Sequence, residues 1–488
     1  MGCYLVYIMM NLKEILAVED DSTFLDFRCP ETGYLLWPLI RQEFIQSIIS
    51  DLVYKNAPLI SLNRNINYSK ALSNIFKAKC HNFQVGNSAK GHVLLMASGA
   101  GLFLRDGKWF NRLSDYFALT NLHETLVLED FFNWNWPYPR ENKKVIYHAP
   151  MQTYFALLGK LSTKQSHVHQ GKDIVSHFKN RAKEILDWDL NTSATLNFEH
   201  RMARKITELP IRKRMYEKLL KQKGTKIVIK EEGCYGHSSI FNRTARELDI
   251  VIAEYQHGTI NAGHDAYNIA PILLSSSEYK DTLPQHFLSY GKWWHQYLDL
   301  PVNKIAIGNP HRTVQLSRLP RQSDKTDILV LGDGIETEMY LDLAIFLSQN
   351  LITWRVVFRP HPLERTKLQD LLVRKNTGKV VIDVNSDIYS TFCNAHVVVN
   401  EVSTGLFEAV GLADRVLIWD TPKSKFYYPN HPFASFADAS DLLEKIKDGK
   451  TGMLDIQSTH SVWAEGWEDN YKKFLIQYTE KVNLESVK

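Results

Sequence analysis

The feature that most constrains this chain is an alternation of short apolar runs with helical segments, from the middle of the sequence onward. The run "KIVIK" (226–230) precedes a polar loop, a helical pattern over 240–248 and a second apolar run over 250–258. The alternation restarts with "ILVLG" (328–332) and continues to "RVLIWD" (415–420). Strands that alternate with helices form parallel sheets, because each connecting helix packs back across the sheet. The sequence therefore predicts a doubly wound α/β architecture.

Two blocks of this pattern predict two domains, since 488 residues exceed what one core usually holds. Residues 312–327 are polar, and we interpret them as the linker. We therefore predict a first domain with helical additions over 1–315 and a second domain over 316–465. The terminal segment 466–488 is amphipathic and is expected to pack back on the first domain. Ligands of open α/β sheets bind beyond the carboxyl ends of the strands, which directs attention to those ends.

Composition excludes several classes of protein. A net charge of +4 is too small by itself to indicate a nucleic-acid partner. Five cysteines without CxxC spacing are typical of a reduced compartment and do not form a zinc motif. The N-terminus lacks the features of a signal peptide, and one hypothesis is that the natural start is Met10. No apolar run is long enough to span a bilayer, so we expect a cytoplasmic protein.

The basic run 210–226 has two interpretations. It could dock on the anionic inner leaflet of the cytoplasmic membrane, which would make the protein peripheral there. The alternative is an ordinary solvated helix face. Both interpretations stay open at the level of the sequence.

Candidate catalytic residues follow two strands of the first domain. Glu231 and Glu232 come directly after the strand "KIVIK". Paired carboxylates raise each other's pKa, which suits a general base acting on a sugar hydroxyl. His257 follows the next strand and precedes a glycine, so it is a second candidate base. The alternative for each is a structural or solvated side chain.

Candidate binding residues follow three strands of the second domain. Arg359 and His361 lie in "FRPHPLER" (358–365), where two prolines fix the backbone around the histidine. Gly332 ends the first strand of that domain and allows backbone N–H groups to approach a ligand.

Ser403 and Thr404 are good helix N-cap residues, and free N–H groups at a helix start can bind phosphate. Glu408, one turn later, could accept hydrogen bonds from a ribose. The alternative is a plain capped helix whose dipole Glu408 complements.

Together these motifs resemble those of GT-B glycosyltransferases that build bacterial surface polysaccharides. The pair Glu231-Glu232 with its following glycine, then His361-Pro362, then Ser403-Thr404, look like three motifs of bacterial sialyltransferases and polysialyltransferases. The resemblance implies two Rossmann-like domains facing a central cleft. It also implies that Glu232 is the general base and that the other two motifs hold the phosphate of a CMP-sugar.

A second resemblance concerns "QHGT" together with "RPHP". These segments are similar to the glycerophosphotransferases of teichoic acid synthesis and to capsule Kdo transferases. That resemblance implies His257 as the base, with Arg359 and His361 at the donor phosphate.

The predicted function is transfer of a sugar from a nucleotide-activated donor, with a CMP-sugar favoured, to a hydroxyl of a bacterial capsule, O-antigen or lipooligosaccharide. The expected partners are that donor and an oligosaccharide or lipid-linked glycan, without nucleic acid. The reaction is expected to be inverting and to need no metal, since no DxD triplet lies at a predicted strand end. The alternatives are a CDP-glycerol-type polyol-phosphate transferase, a nucleotide-sugar epimerase, and a non-catalytic carbohydrate-binding protein.

Overall fold

The first domain is built on a parallel sheet of seven strands. The computed structural model describes residues 10–54, 67–86, 91–319, 325–362, 364–385, 387–453 and 460–479. The strands of this domain are β1 (Val93–Ala97), β2 (Leu102–Arg105), β3 (Lys108–Asn111), β4 (Thr125–Glu129), β5 (Val145–Tyr147), β6 (Ile227–Lys230), β7 (Val251–Tyr255), β8 (His286–Ser289) and β9 (Asn303–Ala306). The sheet order is β5-β4-β1-β6-β7-β8-β9, and β2 pairs with β3 as a separate antiparallel hairpin.

The second domain has a six-stranded parallel sheet. Its strands are β10 (Asp327–Leu331), β11 (Arg355–Arg359), β12 (Val381–Ile382), β13 (Ala395–Asn400), β14 (Arg415–Trp419) and β15 (Ala434–Phe436). The order β12-β11-β10-β13-β14-β15 is the 3-2-1-4-5-6 order of a Rossmann fold. Apart from its β2–β3 hairpin, the first domain repeats this order with one further strand. The predicted fold class, two Rossmann-like domains of GT-B type, is therefore confirmed.

Helices cover both faces of the sheets. Those before β10 are Leu12–Leu16, Pro38–Leu52, Tyr68–Gly86, Asp115–Thr120, Ala149–Leu161, Gln165–Leu186, Thr192–Lys223, Ser239–Arg246, Pro271–Ser275, Ser277–Lys280 and Pro310–Arg318. Those after β10 are Thr337–Asn350, Arg365–Arg374, Tyr389–Asn394, Thr404–Glu408, Pro422–Tyr427, Ala439–Asp448 and Trp467–Thr479. None of the helices in these described parts of the chain combines the length and apolar character needed to cross a membrane.

The longest helix, Thr192–Lys223, has clear start and stop signals. Asn191 caps it by accepting a hydrogen bond from the Ala194 N–H, and Gly224 ends it in the left-handed region at a φ of +65°. Pro210 lies inside the helix. The basic run predicted at 210–226 is therefore mostly the last part of this helix.

The side chains of strand β1 are buried on both faces of the first sheet. Leu94 and Met96 pack into one core, whereas Val93 and Leu95 pack into another on the opposite face. The second core includes Tyr471 of the helix Trp467–Thr479, whose ring centroid lies 4.7 Å from that of Phe117. The last described helix thus covers the first sheet.

The structure differs from the sequence-based expectations in three places. Residues 312–318 of the predicted linker belong to the helix Pro310–Arg318, and the Arg312 guanidinium donates to the Val410 carbonyl at 2.6 Å. The helix expected from Ser403 is short, Thr404–Glu408. Strand β15 was not expected, because "ASF" carries too few apolar residues to indicate a strand. The hypothesis about the start at Met10 concerns residues 1–9, which lie outside the described residues.

Candidate functional site

The acidic pair lies where β6 ends, next to the end of β1. The Glu231 Oε2 atom accepts a hydrogen bond from the Ser98 N–H at 2.7 Å, which ties the loops after the two strands together. Burial raises the pKa of Glu231 to about 8, and the neighbouring Glu232 carboxylate contributes to the rise. Glu231 therefore holds a proton at neutral pH and is the poorer base of the pair.

Glu232 is held in an unusual backbone conformation. Its backbone φ is +56°, in the left-handed region that residues other than glycine seldom adopt. Its carbonyl accepts from the Ser238 hydroxyl at 2.7 Å, and its carboxylate lies 3.3 Å from the His237 Nε2 atom. Burial raises the pKa of Glu232, whereas the nearby Lys230 ammonium opposes the rise. The result is an ionisable base whose proton affinity exceeds that of a solvated glutamate.

His257 lies at the end of the neighbouring strand β7 and completes this group. A ring nitrogen of His257 and carboxylate oxygens of Glu231 and Glu232 all lie within 4.8 Å of one another. Burial lowers the pKa of His257 to about 4, so the ring is neutral at pH 7. Its buried Nδ1 atom has no hydrogen-bond partner among the described residues. The three candidate catalytic residues thus share one site, whose ligand types could also hold a divalent cation.

In the second domain, Glu364 joins the loops that follow β10 and β11. Its Oε2 atom accepts from the His361 N–H at 2.7 Å, and its Oε1 atom accepts from the Gly334 N–H at 2.9 Å. A Cβ atom at Gly332 would overlap the fully buried Glu364 carboxylate, so glycine is required there. His361 is therefore fixed against the glycine loop, and burial lowers the pKa of its half-buried ring.

Arg359 does not extend into the cleft as a free cation. Its guanidinium donates to the Asp383 carboxylate at 2.5 Å and to the Asn385 carbonyl at 2.9 Å, and the side chain is buried. Because both terminal nitrogens of Arg359 are hydrogen-bonded, the side chain links the end of β11 to the segment that follows β12. The prediction that Arg359 contacts a donor phosphate is therefore not supported by its geometry.

Ser403 and Thr404 begin the helix that follows β13. The Ser403 hydroxyl accepts from the Gly405 N–H at 3.1 Å, as predicted for an N-cap. The ring of Phe407, in the same helix, packs at 4.8 and 4.7 Å from the rings of Trp293 and Trp294 in the first domain. The helix start is thus held close to the first domain.

Glu408 is the last residue of the same helix and is partly buried. Burial raises the pKa of Glu408, and the opposing influence comes from Arg112 and Arg312 of the chain before β10. The Tyr389 hydroxyl donates to its carboxylate at 3.4 Å.

Arg112 is a site residue that the sequence did not indicate. It follows the β2–β3 hairpin, is exposed, and makes no side-chain hydrogen bond or ion pair with any residue that the structure describes. Its charge opposes the rise in pKa of both Glu231 and Glu408, which belong to different domains. Burial and the carboxylates of Glu408 and Glu231 together raise the pKa of Tyr290. The Arg112 guanidinium therefore acts electrostatically on carboxyl groups of both domains.

A second acidic group lies near the ends of β10, β13 and β14. Asp333, Glu336 and Glu401 have carboxylate oxygens within 4.8 Å of one another. The Lys423 ammonium binds all three, at 2.8 Å from Asp333 and 2.7 Å from Glu401. The chain thus supplies its own cation to this group.

Comparison with known proteins gives weak similarities. No protein-family model and no curated protein matches the chain. A UDP-GlcNAc 2-epimerase from Neisseria meningitidis bound to UDP-GlcNAc is 12% identical, with 79% of this chain and 98% of that chain covered and a TM-score of 0.42. The glycotransferase of kitacinnamycin is 11% identical, with 80% and 99% covered and a TM-score of 0.42.

The wall teichoic acid polymerase TagF is 11% identical, with 85% of this chain and 93% of that chain covered and a TM-score of 0.40. The chain is similar to each of these proteins at low sequence identity. The roles of individual residues must therefore be argued from the geometry of this chain.

Proposed function

We propose that the chain is a GT-B glycosyltransferase that moves a sugar from a nucleotide-activated donor to an acceptor hydroxyl. The observation that supports the proposal is that each of the two Rossmann-like sheets carries candidate site residues at the carboxyl ends of its strands. Glu232 and His257 lie on the first sheet, and the His361 loop and the Ser403 helix lie on the second. A CMP-sugar is the favoured donor, and a bacterial surface polysaccharide is the proposed acceptor, on the resemblance of the three motifs.

In the proposed reaction, Glu232 accepts the proton of the acceptor hydroxyl. The hydroxyl oxygen then attacks the anomeric carbon of the donor sugar from the face opposite the nucleotide. The bond between that carbon and the phosphate oxygen breaks, and its electron pair leaves with the nucleotide. One such displacement inverts the anomeric configuration. A base with a raised pKa suits this step, because its proton affinity is matched better to a neutral solution.

The leaving phosphate is proposed to meet hydrogen-bond donors from both domains. Arg112 supplies a guanidinium from the first domain, while the His361 ring and the Thr404 N–H approach from the second. Fixed donors of this kind stabilise charge that develops as a bond breaks. Glu408 is proposed to accept hydrogen bonds from the ribose. The scheme assigns no step to a metal ion.

A polyol-phosphate transferase of CDP-glycerol type is the second candidate. The observation that favours it is the buried Nδ1 atom of His257, which has no hydrogen-bond partner within the described part of the chain. A neutral imidazole beside the cleft could accept a proton from a glycerol hydroxyl, with the same donor loops holding the diphosphate.

Several cations of the basic run 210–226 are paired within the chain, whereas Arg214, Lys218 and Lys226 are exposed and have no side-chain ion pair among the described residues. The Lys213 ammonium pairs with Glu247, and Lys221 pairs with Glu217 at 2.5 Å. Lys223 donates to the Gly86 carbonyl. Charges engaged in this way contribute less to an anionic surface than free ones.

A thermal-shift screen with CMP, CDP, UDP and GDP tests the donor site. We expect one nucleotide to raise the melting temperature, because a ligand at about 100 times its Kd stabilises a protein by about 2.7 kcal/mol. Thr404→Val and His361→Ala should weaken that shift. Thr377→Val, before β12 and away from the loops that follow the strands, should leave it intact.

No shift with any of the four nucleotides would contradict the donor site. Turnover of a nucleotide sugar without an acceptor would replace the transferase proposal with an epimerase.

A further inference from the structure

A cavity of about 440 Å³ opens beside the acidic pair in the first domain. Glu231 and Glu232 contribute to one part of its lining, at the ends of the strands. The long helix Thr192–Lys223 contributes another part. The lining residues from that helix are Arg201, Arg204, Lys205, Glu208, Arg212 and Tyr216. Arg204, Lys205, Glu208 and Arg212 follow Arg201 by three, four, seven and eleven residues, a spacing that places side chains on one helix face. This wall of the cavity is therefore rich in basic side chains.

The long helix contributes more cations than carboxylates to this wall. Glu43 pairs with Arg201 at 2.6 Å and with Lys205 at 2.5 Å. Glu208 pairs with Arg212 at 2.7 Å. Arg204 has no ion pair or side-chain hydrogen bond with any described residue. Arg204 is therefore the one cation of this wall without a partner among the described residues, while the carboxyl groups of Asp130, Glu231 and Glu232 also line the cavity.

Lys230 adds a buried cation to the same cavity. It is 5% exposed, and its one hydrogen bond to a described residue goes to the Ser238 hydroxyl at 2.7 Å. Its charge opposes the rise in pKa of the neighbouring Glu232. Burying an ammonium is costly unless an anion is nearby. The carboxylates of Asp130, Glu232 and Glu254 offset part of this cost, yet burial still lowers the pKa of Lys230 to about 8, so a further anion in the cavity would stabilise its charge.

We propose that this cavity binds a phosphate group of the acceptor. A phosphate monoester carries a charge of about −1.5 to −2 at neutral pH, and the Arg204 guanidinium and the buried Lys230 ammonium are the cations that would bind it. Because the same cavity reaches Glu232, the phosphate would orient the acceptor with its hydroxyl at the base. The proposal rests on the proposed transferase function and adds to it the chemical class of the acceptor.

The test uses glycerol 3-phosphate as the probe, with glycerol as the uncharged control. We expect calorimetry to show binding of glycerol 3-phosphate but not of glycerol. Arg204→Gln should weaken binding about tenfold, the effect of losing one charge-assisted hydrogen bond. Arg214→Gln is the matched control, since Arg214 is exposed on the same helix and does not line the cavity.

Three results would overturn the proposal: no binding of glycerol 3-phosphate, equal binding by Arg204→Gln and the unchanged protein, or binding that Thr404→Val abolishes. The last result would assign the phosphate to the donor site instead. Nucleotide shifts are measured separately, so the donor site can fail while phosphate still binds here. Farnesyl diphosphate is measured in parallel. If it binds more tightly than glycerol 3-phosphate, the acceptor phosphate is lipid-linked rather than carried on a free glycan.

A second inference concerns an apolar stripe on the helix Tyr68–Gly86. Tyr68, Leu72, Phe76 and Phe83 are 74%, 65%, 68% and 73% exposed. At about 100° per residue they fall within one arc of about 80° on the helix surface. The neighbouring helix Ala149–Leu161 adds exposed Tyr154, Leu157 and Leu161. Exposed apolar patches of this kind mark interaction surfaces.

The charged residues of this helix have one sign, since it carries Lys70, Lys77 and Lys79 and contains neither aspartate nor glutamate. Lys79 falls within the arc of the stripe, whereas Lys70 and Lys77 lie about 100° or more beyond it. An aromatic stripe that includes a lysine, on a helix without acidic residues, suits the interface of an anionic bilayer. A second copy of the chain would instead bring lysines against lysines. We infer that this stripe docks on a bilayer surface that contains anionic lipid.

Sedimentation with vesicles tests this inference. We expect the protein to pellet with phosphatidylglycerol-containing vesicles, and Phe76→Glu to reduce the bound fraction about tenfold or more. Ser73→Glu adds the same charge to an exposed position of the helix outside the stripe and should have a smaller effect. Absence of binding, or equal binding by Phe76→Glu, would overturn the inference. A dimer in light scattering that Phe76→Glu dissociates would assign the stripe to self-association.

Discussion

Glu232→Gln is expected to lower kcat about 10²- to 10⁴-fold, the usual contribution of a general base. The amide keeps the shape of the side chain but cannot accept the hydroxyl proton. Since burial raises the pKa of Glu232 from its ordinary value of 4.5, kcat/KM of the unchanged protein should fall as the pH drops through a value above 4.5. The variant should lack this acid limb. Steady-state rates across pH, with the donor that the thermal-shift screen identifies, measure both effects.

The control for this variant is Glu124→Gln. Glu124 directly precedes β4, so it lies at the amino ends of the strands of the same sheet, opposite the carboxyl ends that carry Glu232. Removal of its charge there should leave kcat unchanged. Nucleotide-induced shifts in melting temperature should be the same for both variants. If Glu232→Gln keeps its activity while His257→Ala loses it, the base is His257, and the polyol-phosphate transferase becomes the better assignment.

Arg112→Gln is expected to lower kcat about 10²- to 10³-fold, the effect of removing one fixed donor to a developing anion. The guanidinium is without another partner in the described structure and opposes the rise in pKa of both Glu231 and Glu408, so its loss removes positive charge that acts on both carboxyl groups. Because this charge matters most when the phosphate departs, KM should change much less than kcat. Initial rates over a range of donor concentrations separate the two constants.

Lys108→Gln provides the matched control, since Lys108 is an exposed cation on the same hairpin. It should keep full activity. A rise in KM for the donor at constant kcat in Arg112→Gln would mean that the arginine only helps the donor bind. Unchanged kinetics would remove Arg112 from the mechanism.

The sequence predicted the parallel sheets well because their central strands are covered on both faces. Such strands are continuous apolar runs, and β10 and β13 are buried along almost their whole length. Strand β15 was not predicted, because an edge strand of three residues can form with few apolar side chains. The apolar run "KVVID" (379–383) forms only the short edge strand β12, Val381–Ile382.

The site was only partly predictable, for a different reason. Glu231, Glu232 and His257 directly follow neighbouring strands, so the topology alone brings them together. The pairing of Arg359 with Asp383 joins residues that are 24 positions apart, and no local pattern indicates it. Arg112 comes from a hairpin outside the sheet, so its place in the cleft depends on tertiary packing. Glu364 was visible in "FRPHPLER", but its role requires the glycine loop that it contacts.

The Glu364 carboxylate that joins the His361 loop to the glycine loop has a thermodynamic consequence. Both loops are fixed before any donor arrives, so their conformational entropy is lost during folding rather than during binding. The donor then encounters a rigid surface, and little of its binding free energy is spent on ordering the protein. Loosening these loops should therefore reduce nucleotide affinity mainly through a less favourable entropy of binding.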